Sequence, residues 1–153
     1  MKKFCRTLAV AVMLTAGMIF SAPSHAADSK THHIAIQVDQ NDPALMNLVL
    51  NNVSNLMDYY HSKGEEAQIE VVAYGPGLNM LRDDKSPVKD RIKHIKNSAF
   101  PSTVRFSACG NTKQGMEKAE GHSVPIIADA TIVPAGVVRL TELQERGWSY
   151  IRP

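Results

Sequence analysis

The sequence predicts an α/β fold: a mostly parallel sheet in three layers, with helices on both faces. Three observations predict it. Short runs of alternating β-branched residues recur along the chain. Between them lie stretches with apolar residues three and four apart. Proline, glycine and capping residues stand at the joints. Strands that alternate with amphipathic helices pair in parallel, because each crossover brings the chain back to the same edge. Strand twist makes those crossovers right-handed.

His33 to Val38 predicts the first strand, with Ile34, Ile36 and Val38 alternating. Asp42-Pro43 then predicts a helix start, because Asp42 caps and proline fits the first turn. Leu45, Val49, Val53, Leu56 and Tyr60 form its apolar stripe, and Gly64 stops it. Gln68 to Ala73 is the second strand and leads into the turn Tyr74-Gly75-Pro76-Gly77. A short helix follows from Leu78 to Arg82. Ser86-Pro87 repeats the cap-plus-proline start, with Val88, Ile92 and Ile95 facing inward, and Pro101 ends that unit.

Thr103 to Ala108 is the third strand, followed by Cys109. A helix from about Asn111 to Glu120 closes on Gly121. Val124 to Val133 holds a further strand, shortened by Pro125 and Pro134. Gly136 to Arg146 reads as a helix with Val137, Leu140 and Leu143 inward, and Trp148 to Ile151 as the last strand.

The N-terminus carries Lys2, Lys3 and Arg6, then an apolar run from Leu8 to Phe20, then Ser24-His25-Ala26. This is the pattern of a secretory signal peptide over residues 1–26, with cleavage after Ala26. The apolar run is short for a membrane anchor. Residues 27–31 read as a flexible lead-in and 32–153 as one domain. The expected location is periplasmic or secreted, with no stable membrane insertion after cleavage. The whole chain has 17 basic and 15 acidic residues. Cleavage takes three basic residues away, so 14 then face 15 and the net charge is −1. That balance gives no reason to expect nucleic acid as a partner.

Cys5 leaves with the signal, so Cys109 remains as a lone thiol. Oxidising compartments favour paired cysteines, so a lone one is an intermolecular bridge, a reactive group or an inert buried side chain. Cys109 sits where a strand turns into a helix. The first N–H groups of a helix lack internal partners and its dipole is positive there, so a thiolate at that end is stabilised. A partly exposed Cys109 would then be the catalytic residue. Gly110 lets the backbone approach whatever sulfur holds, and Asn111 and Thr112 add short polar groups. Tyr74, Gly75 and Gly77 lie on the other loop at the same strand ends, where ligands of such folds bind.

The segment Phe106-Ser107-Ala108-Cys109 through Gly121, the turn Tyr74-Gly75-Pro76-Gly77, and Gly136-Val137-Val138-Arg139-Leu140 through Gly147-Trp148-Ser149-Tyr150-Ile151 together resemble the DsrE/DsrF-like sulfur-transfer family, in its exported branch. The resemblance implies a flavodoxin-like α/β fold and assembly as a homo-oligomer, trimer or hexamer. It also implies that a cysteine at the position of Cys109 carries sulfur as a persulfide. Family members that pass sulfur between partner proteins work in the cytoplasm. Export would separate this chain from such partners, so its sulfur donor or acceptor would be a different one.

No C-x-x-C or H-x-x-x-H spacing occurs, and His32 and His33 point to opposite sides of a strand, so no metal site is expected. His33, His61, His94 and His122 remain as candidate bases for Cys109, should the fold bring them together. Lys85, Lys89, Arg91, Lys93 and Lys96 alternate with Asp83, Asp84 and Asp90, which reads as a solvated helix face. Gly75-Pro76-Gly77 lacks the lysine and the length of a phosphate loop. No cofactor is expected; the fold alone does not imply flavin. The sequence therefore supports sulfur handling through a single reactive cysteine. The alternative is a non-catalytic homo-oligomeric module that binds a small ligand or protein, with Cys109 structural.

Overall fold

Residues 30–153 are described by a computed structural model. The predicted signal peptide, and the lead-in up to residue 29, lie outside the described residues. The chain runs β1 (Thr31–Val38), α1 (Pro43–Ser62), β2 (Glu66–Ala73), a 3₁₀ segment (Gly75–Leu81), α2 (Lys89–Ser98) and β3 (Thr103–Cys109). It continues with α3 (Gly110–Glu120), β4 (Ala130–Val133), α4 (Gly136–Glu145) and β5 (Ser149–Ile151). Every pairing between these strands is parallel, in the order β4-β3-β2-β1-β5.

This order decides which face each helix covers. The steps β1 to β2, β2 to β3 and β3 to β4 all run in one direction. Right-handed crossovers put α1, α2 and α3 on one face. The step from β4 back to β5 runs the other way and puts α4 on the opposite face. The packing agrees. Met46, Val49, Leu50 and Val53 of α1 and Ile92 and Ile95 of α2 share one core with Ile36, Val38, Val71 and Phe106. Leu140 and Leu143 of α4 pack on Ala35 and Val72, beside Tyr74 and Trp148. The result is a three-layer α/β fold of the flavodoxin-like class. Flavodoxin's own order, 2-1-3-4-5, differs. Here the connections from neighbouring strands diverge to opposite faces between β3 and β4, and a crevice at the strand ends belongs there.

Local chemistry accounts for the element limits. The Asp42 Oδ1 accepts the Ala44 N–H at 2.8 Å, so the predicted cap forms. Gly121 ends α3 with φ +73°, a conformation that favours glycine. Other expectations are corrected. β1 begins at Thr31, so the lead-in is shorter than predicted. Met46 and Leu50, not Leu45 and Leu56, join Val49 and Val53 as the buried residues of α1. The helix predicted to start at Ser86-Pro87 begins at Lys89, because the Ser86 hydroxyl donates to the Met80 carbonyl at 2.5 Å and accepts the Val88 N–H. In the stretch from Val124, only Ala130–Val133 pairs with β3, while Ile126 bridges to Arg82. Val137 is 61% exposed and faces out. The lysine run is solvated as predicted, with Lys85, Lys89 and Lys96 paired to Glu120, Asp83 and Asp129.

Arg82 is fully buried yet charged. Its Nη2 donates to Asp84 Oδ2 at 2.7 Å and to Glu120 Oε2 at 2.9 Å, clamping the segment after the 3₁₀ turn to the end of α3. The guanidinium holds the Glu120 carboxyl at about 2, below its ordinary 4.5. The unfolded chain takes up this proton first as pH falls, so the stabilisation is complete above pH 4.5 and lost as pH falls to about 2. Glu120→Gln is expected to lose stability at neutral pH and to flatten the acid side of the stability curve. Denaturant titrations between pH 2 and 6, read by circular dichroism, would check this; parallel curves for both proteins would refute it.

Candidate functional site

Strand β3 carries Cys109 to the sheet's carboxyl edge in extended conformation, and there it caps α3. Its Sγ accepts the Thr112 N–H at 3.4 Å. Pairing of Cys109 with Val133 sets the end of β4 alongside. Pro134 and Ala135 then carry the chain across to α4, whose first residue, Gly136, packs against Cys109, close enough for its N–H to favour the thiolate. Two helices of opposite layers thus begin at one thiol. This is the β3/β4 junction, where the strand order parts the two connections.

Two glycines permit the approach. A Cβ on Gly110 would lie 3.1 Å from the Val133 carbonyl oxygen and 3.3 Å from that of Pro134. A Cβ on Gly136 would lie 2.8 Å from the Tyr74 Cβ and 3.3 Å from the Cys109 Cβ. The Asn111 N–H ties the same connection down by donating to the Pro134 carbonyl at 3.1 Å.

Opposing forces act on the sulfur. Burial pushes the thiol up. The Thr112 hydroxyl and the N–H groups of Gly136, Thr112 and Asn111 pull it down, and they prevail, so the thiol is more acidic than an ordinary cysteine. The position of Cys109 at a helix start was legible in the sequence. Its burial was not: the residue is 5% exposed, where a partly exposed thiol was expected. The connection that follows its pairing partner Val133 lines a cavity of about 210 Å³ together with Val138, Arg139 and Glu142; Cys109 is not among the lining residues.

The two predicted loops do meet. The Gly75 N–H donates to the Thr112 Oγ1 at 2.9 Å, so the hydroxyl beside Cys109 is held from the Tyr74-Gly75 turn. Gly75 takes φ +51° there. Tyr74 is half-buried against the start of α4. Burial, then the Asp39 carboxylate, pushes its phenol up, so it stays protonated. Gly77 serves the backbone: a Cβ would come within 2.3 Å of the Val38 carbonyl oxygen, so its role is close packing on β1. The Asn111 side chain is exposed.

The histidines are occupied elsewhere. His32 stacks on Tyr60 with ring centres 3.7 Å apart, and His33 lies beside Trp148 on the other face. His61 and His94 line a cavity between α1 and α2. His122 bonds to the Ser123 carbonyl and pairs with Glu120. Among the described residues no three His, Cys, Asp or Glu side chains gather as a metal ion would need.

Beneath α4 lies a group missed by the sequence reading. Glu70, in the middle of β2, is 1% exposed. Arg139 donates to both its oxygens, Nε to Oε1 and Nη2 to Oε2, each at 2.7 Å. The Ser107 hydroxyl donates to Oε1 at 2.7 Å. Burial raises the carboxyl, but Arg139 and Ser107 outweigh it and keep Glu70 ionised. Ser107 stands two residues before Cys109, and Arg139 one turn after Gly136.

No family model and no curated protein matches the chain. A solved structure does: the protein of unknown function MTH1491 from Methanobacterium thermoautotrophicum. It is 32% identical, with a TM-score of 0.64, over 82% of this chain and all of that one.

Gly136→Ala tests the geometry. The added methyl forces the start of α4 off Tyr74 and Cys109, and its amide dipole moves away from the sulfur. The pH midpoint of Cys109 alkylation is expected to rise, with a stability loss of about 1–3 kcal/mol from overpacking. An unchanged midpoint in a folded variant would show that α4 contributes nothing to the thiol.

Proposed function

The chain belongs to the same family as MTH1491 of Methanobacterium thermoautotrophicum, and for it we propose sulfur handling through one reactive cysteine, Cys109, as a persulfide carrier or sulfurtransferase-like protein. The proposal takes the chain as a DsrE-like protein, exported to the periplasm or secreted and assembled as a homo-oligomer. The observation that carries it is the Thr112 N–H on the Cys109 sulfur at the start of α3, with the start of α4 packed against the same residue at Gly136. Fixed amide dipoles favour a thiolate and need no reorganisation when charge shifts.

One cysteine suffices for the chemistry. The Cys109 thiolate attacks the outer sulfur of a donor persulfide or polysulfide, R–S–SH. The donor's S–S bond breaks, Cys109 becomes Cys–S–SH, and RS⁻ leaves. An acceptor thiolate then attacks the outer sulfur, takes it as a new persulfide, and returns Cys109 to its thiolate. No net oxidation occurs, so no redox partner is required. A peroxidase would need a resolving thiol, and Cys109 is the free cysteine of the described residues.

One observation favours the second reading, a non-catalytic binding module with a structural cysteine: the 5% exposure of Cys109. Alkylation separates the two. Under the leading proposal, iodoacetamide labels native Cys109 with a midpoint below about 8.5, the value of a free thiol. Thr112→Val raises that midpoint. Polysulfide adds one sulfur atom by intact mass, and Cys109→Ser abolishes the addition. Labelling that appears only after unfolding would replace sulfur transfer with the binding module.

A further inference from the structure

The face of β3 that carries Cys109 also carries Ser107, Arg105 and Thr103, since alternate residues share a side. Arg105 lies four residues back, roughly 13 Å along the strand. Here, under the end of α4, is a cavity of about 160 Å³ lined by Glu70, Thr103, Arg105, Arg139, Arg146 and Trp148. We propose that this cavity is a binding site for a small divalent oxyanion of the sulfate or phosphate class, separate from the Cys109 site.

The charge balance is the first argument. Three guanidinium groups line the cavity and one carboxylate faces them. That carboxylate is taken up: Arg139 holds both Glu70 oxygens and Ser107 holds one of them again. Arg105 comes no closer to it than 3.8 Å, beyond hydrogen-bond reach. Arg146 donates its Nε to the Glu142 carbonyl at 3.0 Å and has no ion pair among the described residues. Three guanidinium groups against the one lining carboxylate leave two positive charges in excess, with Arg105 only loosely paired to Glu70, and an excess of that kind suits an oxyanion. Glu142, outside the lining, pairs with Arg139 at 3.3 Å and brings the excess to one when it is counted, so the site stays positive.

Shape and chemistry agree with charge. Arginine forks meet oxyanion oxygens two at a time, with short charge-assisted bonds. The Thr103 hydroxyl supplies a neutral donor. The volume holds one tetrahedral oxyanion and a few waters, each needing about 30 Å³. Glu70 and Arg139, locked together below, give the site a fixed floor, so little must be ordered when the ion arrives.

Trp148 makes the proposal directly measurable, because it lines the cavity and is the chain's single tryptophan. Sodium sulfate and inorganic phosphate are titrated into the full folded protein, with sodium chloride at matched ionic strength as control, since screening alone affects surface charges. The expected result is a saturable change in tryptophan emission with both oxyanions and none with chloride. Arg105→Gln and Arg146→Gln, at exposed positions, each weaken binding at least about tenfold, the loss of a charge-assisted hydrogen bond. Lys93→Gln removes one charge from a distant helix and Cys109→Ser removes the thiol; both keep the affinity. The proposal is overturned if chloride reproduces the signal, if no saturation occurs by tens of millimolar, or if the arginine variants bind as tightly as Lys93→Gln. Because Cys109→Ser is among the proteins titrated, failure here leaves the sulfur chemistry untouched, and the reverse also holds.

Discussion

The buried ion pair between Glu70 and Arg139 is the constraint on which the site depends. Among the described residues, α4 is the only helix on its face of the sheet. Its apolar anchorage is small: Leu140 and Leu143, set on Ala35 and Val72. Two fully buried leucines contribute about 3–6 kcal/mol, little for ten residues of ordered helix. Arg139 adds a bidentate, charge-assisted contact to a carboxylate already held by Ser107. Losing one partner of such a pair costs about 3–5 kcal/mol, because the other is left charged and buried. The polar contact therefore rivals the apolar one, and unlike it has a direction. It fixes the rotation of α4, and so the aim of the Gly136 N–H one turn earlier.

Strand order explains why the site lies where it does. Three successive crossovers in one direction use up one face, and the single reverse crossover is left for the other. The connections leaving β3 and β4 must part, and the parting exposes the ends of two helices to each other. A residue at the end of β3 then receives two positive helix ends instead of one. Such effects fade beyond the first turn, so only a residue at the junction feels both. Cys109, with Gly110 after it and Gly136 opposite, occupies that place.

Much of this was legible in the sequence because it is local. Asp42 and Pro43 announce the start of α1, Gly121 announces the end of α3, and alternation in β1, β2 and β3 is strong enough to identify central strands. Cys109 was readable as a helix start for the same reason. What stayed hidden depends on distant partners. Glu70 sits inside an apolar run that reads as a strand, but its partner Arg139 is 69 residues away. No periodicity links them. Gly136 reads as the first residue of a helix, and its closeness to Tyr74 and Cys109 exists only once β4 pairs with β3. Val137 was assigned inward because spacing gives the width of a stripe but not its centre; the Arg139 contact turns the helix so that Leu140 and Leu143 face the sheet and Val137 does not.

Burial and acidity of one thiol look contradictory, and the geometry resolves them. A sulfur shielded from water loses hydration, which alone would keep it protonated. Here the Thr112 N–H bonds the sulfur, and the nearby Gly136 and Asn111 amides and a hydroxyl held by the Gly75 N–H add dipoles that favour the thiolate. The replacement dipoles are already aligned, so the thiolate is favoured without solvent. The same enclosure restricts what can react. Under the proposed sulfur transfer, a small polysulfide needs less room at this 5% exposed sulfur than a folded protein donor would, and the neighbouring Val133–Ala135 connection is fixed in place. That connection is held by the Asn111 N–H on the Pro134 carbonyl and by strand pairing at Val133. Under the same proposal, a persulfide on Cys109 would place its outer sulfur about 2 Å beyond Sγ. The donor must therefore reach the enclosed sulfur, while an acceptor meets one that extends further. In the proposed transfer, uptake and release of sulfur would then be unequal in their demand on access.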